Sequence, residues 1–114
     1  RLLGFDCPEV RANPKCQKDG QQGRLGCDEQ IPLGRLATQR ARQLLEGQEV
    51  SLEGPSKTKP LKKDRYGRIL AYVRLPDGRD FGAVMVGETE CADFGWKFPH
   101  PRSETYKSLK KTTR

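Results

Sequence analysis

The sequence predicts a small α+β domain, mainly β, in which short strands form a partly open barrel decorated by helices. Its 114 residues match the usual length of one domain, so residues 1–114 are taken as a single unit. Short patterns of alternating apolar residues recur along the chain and predict strands. One stretch of helical periodicity follows the first of these patterns. Because 33% of the residues are hydrophobic and 32% are charged, the core must be small.

The first predicted strand, residues 1–6, begins with Arg1 and runs into two carboxylates. Pro8 has a fixed φ and disfavours helix in the residue before it, so the chain turns sharply there. This turn can bring Asp6 and Glu9 together, and two close carboxylates need a proton or a cation between them. Such oxygen ligands suit calcium, and a carboxylate pair beside an arginine suits phosphodiester chemistry. The alternative is a strand end with two solvated acids.

Residues 7–30 are predicted to form a long polar loop that contains Cys16 and Cys27. Loops of this length are usually functional, cross-linked or disordered. A disulfide between these cysteines would contribute about 3 kcal/mol through chain entropy and would indicate an exported protein. A zinc site is a weaker interpretation, because the spacing is not Cys-x-x-Cys and the only histidine is the distant His100. Reduced thiols in a cytosolic protein are the third interpretation.

Residues 32–46 have the periodicity of an amphipathic helix. Pro32 suits the first turn of this helix, and Gly47 suits its C-terminal cap. The apolar stripe consists of Leu33, Leu36, Ala37, Ala41, Leu44 and Leu45. The arginines that lie off the stripe are expected to form a solvated face.

Strands and turns are predicted in the middle of the chain. Residues 48–53 alternate and predict a strand, and residues 69–75 predict one most clearly. Residues 76–79 are typical of a turn, so a hairpin partner is expected at 79–81. Residues 54–63 form a loop rich in proline and lysine, which is solvated or attracts polyanions.

A short helix is predicted over residues 81–86, and Gly87 is expected to end it. His100, between two prolines, is interpreted as an ordinary loop residue. The loop before it carries three aromatic residues that suit a core or a lid, or base stacking if they are exposed. These residues are Phe94, Trp96 and Phe98.

The last residues, 101–114, form a basic tail. From residue 103 onward this tail predicts a helix with Tyr106 and Leu109 turned inward, and its end is expected to fray.

The net charge of +7 and the pI near 9.5 indicate an anionic partner, either nucleic acid or a membrane surface. A basic protein that is merely soluble has the same composition. No apolar run approaches the roughly 20 residues of a membrane span, so no membrane-spanning segment is expected.

Two separate motifs resemble the thermonuclease family, that is, the staphylococcal nuclease-like domains. Residues 1–9 are similar to the family's Arg-Leu-Leu-x-x-Asp-x-Pro-Glu strand end. Residues 64–72 are similar to its Asp-Lys/Arg-Tyr-Gly-Arg-x-Leu-Ala turn and strand. The motifs occur in the family's order, with an amphipathic helix between them, and the resemblance extends over most of residues 1–98.

This resemblance implies an OB-type barrel of five strands with two to three helices. The family also has an upstream Asp-Gly-Asp-Thr-like turn that supplies another metal-binding carboxylate. The present sequence starts after that point, at Arg1. We therefore expect the natural chain to continue upstream and residues 1–114 to lack the first strands of the barrel.

The resemblance implies calcium-dependent hydrolysis of DNA and RNA, with cleavage that leaves 3′-phosphate ends. By motif position, Asp6 and the main-chain carbonyl of Cys7 would be calcium ligands. Glu9 would orient or deprotonate the attacking water. Arg1 and Arg68 would bind the phosphate and stabilise the transition state, because a guanidinium can pair with two phosphate oxygens at once.

Further residues are expected to bind the substrate. Arg65 and Tyr66 match family positions that contact a terminal phosphate. Lys62 and Lys63 are expected to extend this basic face.

The family layout also suggests a second disulfide, between Cys7 and Cys91, since both flank the proposed site. We expect a monomer that is secreted or periplasmic. One alternative function is a non-catalytic nucleic-acid-binding module of the same fold. A weaker alternative is a disulfide-linked interaction protein whose basic face binds membranes or acidic partners.

Overall fold

A computed structural model describes residues 2–55 and 61–110 as an α+β domain with four helices and three two-stranded antiparallel sheets. The strands are β1 (Phe5–Asp6), β2 (Ser51–Glu53), β3 (Lys62–Lys63), β4 (Ile69–Leu70), β5 (Tyr72–Arg74) and β6 (Ala92–Asp93). The helices are α1 (Pro14–Gln21), α2 (Cys27–Leu45), α3 (Phe81–Glu88) and α4 (Ser103–Leu109). Arg1, which is expected to bind phosphate, lies outside the described residues, and so does the end of the basic tail.

The sheets pair β1 with β6, β2 with β5 and β3 with β4. A single parallel bridge between Leu2 and Ala71 joins the first strand to the break between β4 and β5. At this bridge the Leu3 N–H donates to the carbonyl oxygen of Ala71 at 2.9 Å. The predicted α+β class is therefore correct, whereas the described residues form no closed five-stranded barrel.

Phe5 anchors the first strand in the core. Its ring makes edge-to-face contacts with Phe81 and Tyr106, at centroid distances of 6.0 and 6.5 Å. Phe5 also packs against both buried apolar clusters. The larger cluster contains Ala37, Leu44, Val73, Leu75, Phe81, Met85 and Cys91. Because Phe5 immediately precedes Asp6, core packing determines where the first candidate carboxylate lies.

The predicted unstructured loop over residues 7–30 is wrong, because α1 lies within it. The side chain of Asn13 caps α1 by accepting a hydrogen bond from the Cys16 N–H at 2.9 Å. Pro14 occupies the first helical turn, where its missing N–H breaks no intrahelical bond. Asn followed by Pro is a helix-start signal. The helix was nevertheless not predicted, because its eight residues have no apolar stripe.

Helix α2 begins at Cys27, five residues earlier than the predicted start at Pro32. The Glu29 carboxylate accepts a hydrogen bond from the Gly26 N–H at 2.8 Å and satisfies one donor at this end. Pro32 therefore lies inside the helix, where it removes one backbone hydrogen bond. A disulfide holds the first turn, so tertiary structure compensates for that loss.

All four cysteines are in disulfides. Cys16 is bonded to Cys27 and joins α1 to α2, and Cys7 is bonded to Cys91 and joins the ends of β1 and β6. The chain separations are 11 and 84 residues, which correspond to roughly 3 and 5 kcal/mol in the chain-entropy estimate. Neither the zinc site nor the free thiols considered from the sequence are present.

Strands are present at the predicted positions, but they are shorter than predicted. The strand expected over residues 48–53 is limited to β2, and the one expected over 69–75 breaks at Ala71. The expected hairpin partner at 79–81 is reduced to one bridge between Arg74 and Asp80. The reason is that the Asp80 side chain caps α3, accepting from the Gly82 N–H at 2.9 Å. The residues predicted as a strand therefore form the start of α3 instead.

Two predictions near the C-terminal end of the described chain are also corrected. Helix α3 continues past Gly87 and ends at Glu88. In α4, Tyr106 is fully buried as predicted, but Leu109 is 38% exposed.

His100 is not an ordinary loop residue, because its side chain is only 2% exposed. Its Nδ1 lies 2.6 Å from the Tyr72 hydroxyl, and its Nε2 lies 2.7 Å from Oδ1 of Asp93. The His100 ring also packs on Gly4, where a Cβ atom would overlap it. His100 therefore ties β5 and β6 to the first strand.

Glu53 provides a pH-dependent part of the stability. Hydrogen bonds from Arg74 and Arg102 lower the pKa of Glu53 to about 2, from an ordinary value of 4.5. Since the folded pKa is the lower one, the stabilisation is complete above about pH 4.5 and disappears as the pH falls towards 2. We expect Glu53→Gln to lose roughly 2–3 kcal/mol of unfolding free energy at pH 6 and almost nothing at pH 2.

Urea unfolding of both proteins between pH 2 and pH 6 measures this difference. Glu104→Gln is the matched control, since the Glu104 side chain is 91% exposed and its change should be small at every pH. A Glu53→Gln loss that is constant with pH would contradict the assignment.

Candidate active site

The carboxylate pair consists of Asp6, the last residue of β1, and Glu9, three residues later. Asp6 faces Ala92 across the sheet, and the disulfide of Cys7 fixes the next residue. The Glu9 N–H donates to the side-chain oxygen of Gln30 in α2 at 3.1 Å. Sheet pairing, a disulfide and one hydrogen bond therefore hold the whole turn from Asp6 to Glu9.

Asp6 and Glu9 share one cation from the chain itself. The Lys15 ammonium lies 3.0 Å from Oδ2 of Asp6 and 3.3 Å from Oε1 of Glu9. The other oxygen of Glu9 accepts a hydrogen bond from the Asn13 amide at 3.1 Å. Burial lowers the pKa of Lys15, but hydrogen bonds and charges from the two carboxylates outweigh it and raise that pKa overall. The proximity of the two carboxylates was predicted from the sequence. Lys15 was not predicted to contact them, because α1, the helix that carries it, was not predicted.

The second group is the turn between β3 and β4, which Asp64 organises. Oδ1 of Asp64 accepts from the N–H groups of Tyr66 and Arg68 at 2.9 and 3.0 Å. Its Oδ2 accepts from Nε of Arg68 at 2.8 Å. Burial raises the pKa of Asp64, and these hydrogen bonds outweigh it and lower the pKa overall. Asp64 was not chosen from the sequence as a site residue, although an Asp three residues before a turn glycine is a recognisable turn signal.

The contact with Asp64 occupies only part of the Arg68 guanidinium. The Arg68 side chain is 51% exposed, and its Nε alone is used by Asp64. Within residues 2–55 and 61–110, its two terminal nitrogens make no hydrogen bond to protein. A guanidinium held at Nε with both terminal nitrogens available has the geometry for binding two oxygens of one phosphate.

Tyr66 forms an exposed platform beside this arginine. Tyr66 is 67% exposed, and the guanidinium carbons of Arg65 and Arg68 lie 4.9 and 5.2 Å from the centroid of its ring. Lys62 and Lys63 are exposed in β3, on the same hairpin. Lys62, Lys63, Arg65 and Arg68 therefore lie on one hairpin, and the two arginines lie beside the Tyr66 ring.

The two groups remain separate in the part of the chain that the structure describes, where no hydrogen bond or ion pair links Asp6 or Glu9 to Arg68.

An apolar pocket of about 350 Å³ lies between the hairpin and the first strand. Its lining comprises Leu2, Leu3, Gly4, Phe5, Asp64, Leu70, Phe94, Phe98 and Pro99. Trp96 lies in the same loop as the two lining phenylalanines and is 77% exposed. The aromatic loop thus forms one wall of a pocket and is not part of the core.

Calcium was expected here from the sequence, and it prefers about six to eight oxygen ligands. In the described ranges, 2–55 and 61–110, no group of three or more His, Cys, Asp or Glu side chains is placed to hold a metal. The two carboxylates have suitable chemistry, but the Lys15 ammonium is bound to both. As they stand, the described residues do not fit a calcium ion.

The position of Glu9 depends on a glycine in α2. A Cβ atom at Gly34 would overlap the carbonyl oxygens of Pro8 and Glu9. We expect Gly34→Ala to lower the free energy of unfolding by about 1–3 kcal/mol, because the turn must move away from the helix. Urea unfolding measures this loss, with Gly87→Ala as the matched control.

Gly87 is also helical, but a Cβ there would lie 3.9 Å from the Leu109 Cβ, an ordinary contact. Its replacement should be neutral or stabilising by up to about 1 kcal/mol, since alanine is the better helix former. Equal stability changes for the two variants would show that the turn does not pack tightly on α2.

Comparisons with known proteins give one clear result. A family model described as staphylococcal nuclease homologue matches residues 1–113, which is nearly the whole chain. No curated protein matches the chain. None of the helices in the described part of the chain combines the length and apolar character needed to cross a membrane.

Proposed function

This chain belongs to the family of staphylococcal nuclease homologues, and from that premise we propose that it hydrolyses phosphodiester bonds in DNA and RNA. The observation that carries this proposal is the arrangement around Arg68. Asp64 binds Nε at 2.8 Å, and the half-exposed Arg68 side chain lies beside the exposed Tyr66 ring, with no hydrogen bond from its terminal nitrogens to any residue in 2–55 and 61–110. Asp64 therefore fixes both the turn that carries Arg68 and the Nε of the Arg68 side chain.

In the proposed reaction Glu9 takes a proton from a water molecule whose oxygen attacks phosphorus. The bond between phosphorus and the 5′ oxygen breaks, and this oxygen takes a proton from solvent. The products are a 3′-phosphate end and a 5′-hydroxyl end. Arg68 would stabilise the charge on the phosphate oxygens, and Arg1 is proposed to do the same.

The substrate is proposed to lie along the hairpin. Lys62 and Lys63 would bind phosphates along the strand of nucleic acid, and Arg65 and Tyr66 would contact a terminal phosphate. The pocket beside Asp64 has apolar and aromatic walls, which suit the flat face of a base.

Calcium remains part of the proposal on the basis of the family. Its proposed ligands are Asp6 and the main-chain carbonyl of Cys7. The contact of Lys15 with both carboxylates is the observation that this part of the proposal must explain.

We also infer that the three sheets are parts of a five-stranded OB-type barrel. The parallel bridge from Leu2 to Ala71 supports this, since it links the first strand to the β4–β5 segment. The two disulfides support a secreted or periplasmic location, because such bonds persist in oxidising compartments. A monomer is proposed as well.

A nuclease assay on the complete natural chain tests the function. Linear DNA and RNA should be cut in the presence of calcium, and the products should carry 3′-phosphate ends. A chelator should stop the reaction. A complete chain that is inert in calcium would contradict catalysis.

The alternative is a nucleic-acid-binding module without catalysis, and the Lys15 contact favours it. Both functions require a basic face, so binding can be tested separately. We expect affinity for single-stranded DNA to fall steeply with salt, with a log–log slope of roughly 0.7 for each phosphate contacted. Fluorescence anisotropy at several salt concentrations measures this slope. Binding that does not respond to salt, or no binding, would contradict both functions.

A further inference from the structure

We propose that Asn13 is a positioning residue for Glu9, and that it holds the Glu9 carboxylate in a fixed orientation for proton transfer from water. The inference deepens the proposed function and rests on it, since Glu9 is the proposed base. Asn13 belongs to neither of the two sequence motifs. It caps α1, a helix that was not predicted from the sequence.

The contact holds a carboxylate that would otherwise rotate. The terminal torsion of a glutamate side chain has broad minima, so an unbound carboxylate takes many orientations. The Asn13 amide donates to Oε2 of Glu9 at 3.1 Å, and the Lys15 ammonium lies 3.3 Å from Oε1. Because both oxygens are bound, the plane of the carboxylate is fixed.

This binding leaves Glu9 able to act as a base. An ionised carboxylate has about four acceptor sites. Within residues 2–55 and 61–110, Asn13 and Lys15 are the partners of the Glu9 side chain, and each uses one of these sites. The Glu9 side chain is 25% exposed, so a water molecule can reach the remaining sites. Asn13 therefore orients the carboxylate without blocking it.

Asn13 itself is fixed by the start of α1. Its Oδ1 accepts a hydrogen bond from the Cys16 N–H at 2.9 Å, which leaves its amide nitrogen to face Glu9. Cys16 is completely buried and bonded to Cys27 in α2. The main chain of Glu9 is attached to the same helix, since its N–H donates to the side chain of Gln30. Helix α2 therefore holds both the donor and the base in place.

The residue type at position 13 separates this role from helix capping. Serine, aspartate and asparagine cap helices about equally well, because each offers an acceptor to the first backbone N–H groups. Of the three, only asparagine has an amide group, which donates through Nδ2 while Oδ1 caps the helix. Replacement by serine or aspartate therefore keeps the cap and removes the amide donor to Glu9.

Asn13→Ser in the complete natural chain tests the inference. We expect the rate of single-turnover DNA cleavage to fall about tenfold or more, because small displacements of a reacting group are costly. The dissociation constant for single-stranded DNA, measured by fluorescence anisotropy, should be nearly unchanged, since Asn13 is not part of the phosphate-binding hairpin. Asn13→Asp should lose at least as much rate, because it places a second carboxylate where Glu9 has a donor.

Gln17→Ser is the matched control. Gln17 is an exposed residue of α1, and in the described part of the chain its side chain makes no hydrogen bond to Glu9. This variant loses one amide from the same helix and should cleave DNA at the parent rate. Urea unfolding should give both serine variants a midpoint close to that of the parent, so a lower rate would not reflect loss of α1.

NMR measures the contact without relying on cleavage. The side-chain amide signals of Asn13 should shift in Glu9→Ala and stay in place in Glu104→Ala. Signals that respond to neither change would overturn the inference. Equal cleavage rates in the parent and Asn13→Ser would also overturn it, and would leave the nuclease proposal standing. A shift in Glu9→Ala with an inert parent would support the hold on Glu9 and contradict the nuclease proposal.

Discussion

Replacing Arg68 with lysine should reduce the rate of phosphodiester cleavage by about 100-fold or more, while the protein remains folded. Loss of one preorganised donor to a developing oxyanion usually costs a factor of about 10²–10³. Lysine keeps the positive charge but presents a single ammonium. It cannot bond to Asp64 and at the same time pair with two phosphate oxygens, as the arginine geometry permits.

Arg79→Lys is a close control for this experiment. Arg79 binds Asp77 through Nε at 2.8 Å, and the Arg79 N–H donates to the same carboxylate at 3.0 Å. The local arrangement thus resembles that of Arg68 and Asp64, but it lies in the turn after β5 and has no proposed role. The Arg79→Lys variant should cleave DNA at the same rate as the parent. If Arg68→Lys also cut DNA within twofold of the parent rate, Arg68 would not be the phosphate-binding arginine.

Replacing Glu9 with glutamine should abolish detectable turnover and leave DNA binding almost unchanged. Glutamine has nearly the same shape, and its carbonyl oxygen can still accept the hydrogen bond from Asn13. It lacks the negative charge that accepts a proton from water, and general base catalysis is typically worth about 10²–10⁴-fold. Single-turnover cleavage and fluorescence anisotropy on the same protein separate the two effects.

Glu104→Gln controls for the loss of one negative charge. Glu104 lies in α4, and its highly exposed side chain forms an ion pair with Lys107 at 3.4 Å. Its replacement should change neither binding nor cleavage. A Glu9→Gln variant that cuts at the parent rate would remove Glu9 from the mechanism and would leave the binding module as the better description.

The two motifs differ in how much of their surroundings the sequence alone could predict. The turn at Asp64 is local, since the residues that organise it lie within four positions of each other, and a short motif is enough to recognise it. The carboxylate pair is recognisable in the same way. Its surroundings were not predictable, because Lys15, Asn13 and Gln30 reach it only after two helices have formed.

His100 shows the same limit more strongly. His100 lies between two prolines and belongs to no periodic pattern or motif, so it was interpreted as an ordinary loop residue. Its partners are 28 and 7 residues away, and its burial depends on the close approach of Gly4 near the start of the chain. Contacts between distant segments decide burial, and burial decides whether a histidine is a surface group or a structural one.

The sequence by itself determined the α+β class, the family, the positions of the charged motifs and the basic character of the protein. These properties depend on residue type and short spacing, which are local. Only the tertiary structure decided that the polar loop contains a helix, that Pro32 lies inside α2, and that an ammonium bridges Asp6 and Glu9. The physical reason is that these features are stabilised by disulfides and contacts between separate segments, whose energies exceed the weak local preferences that a sequence pattern reports.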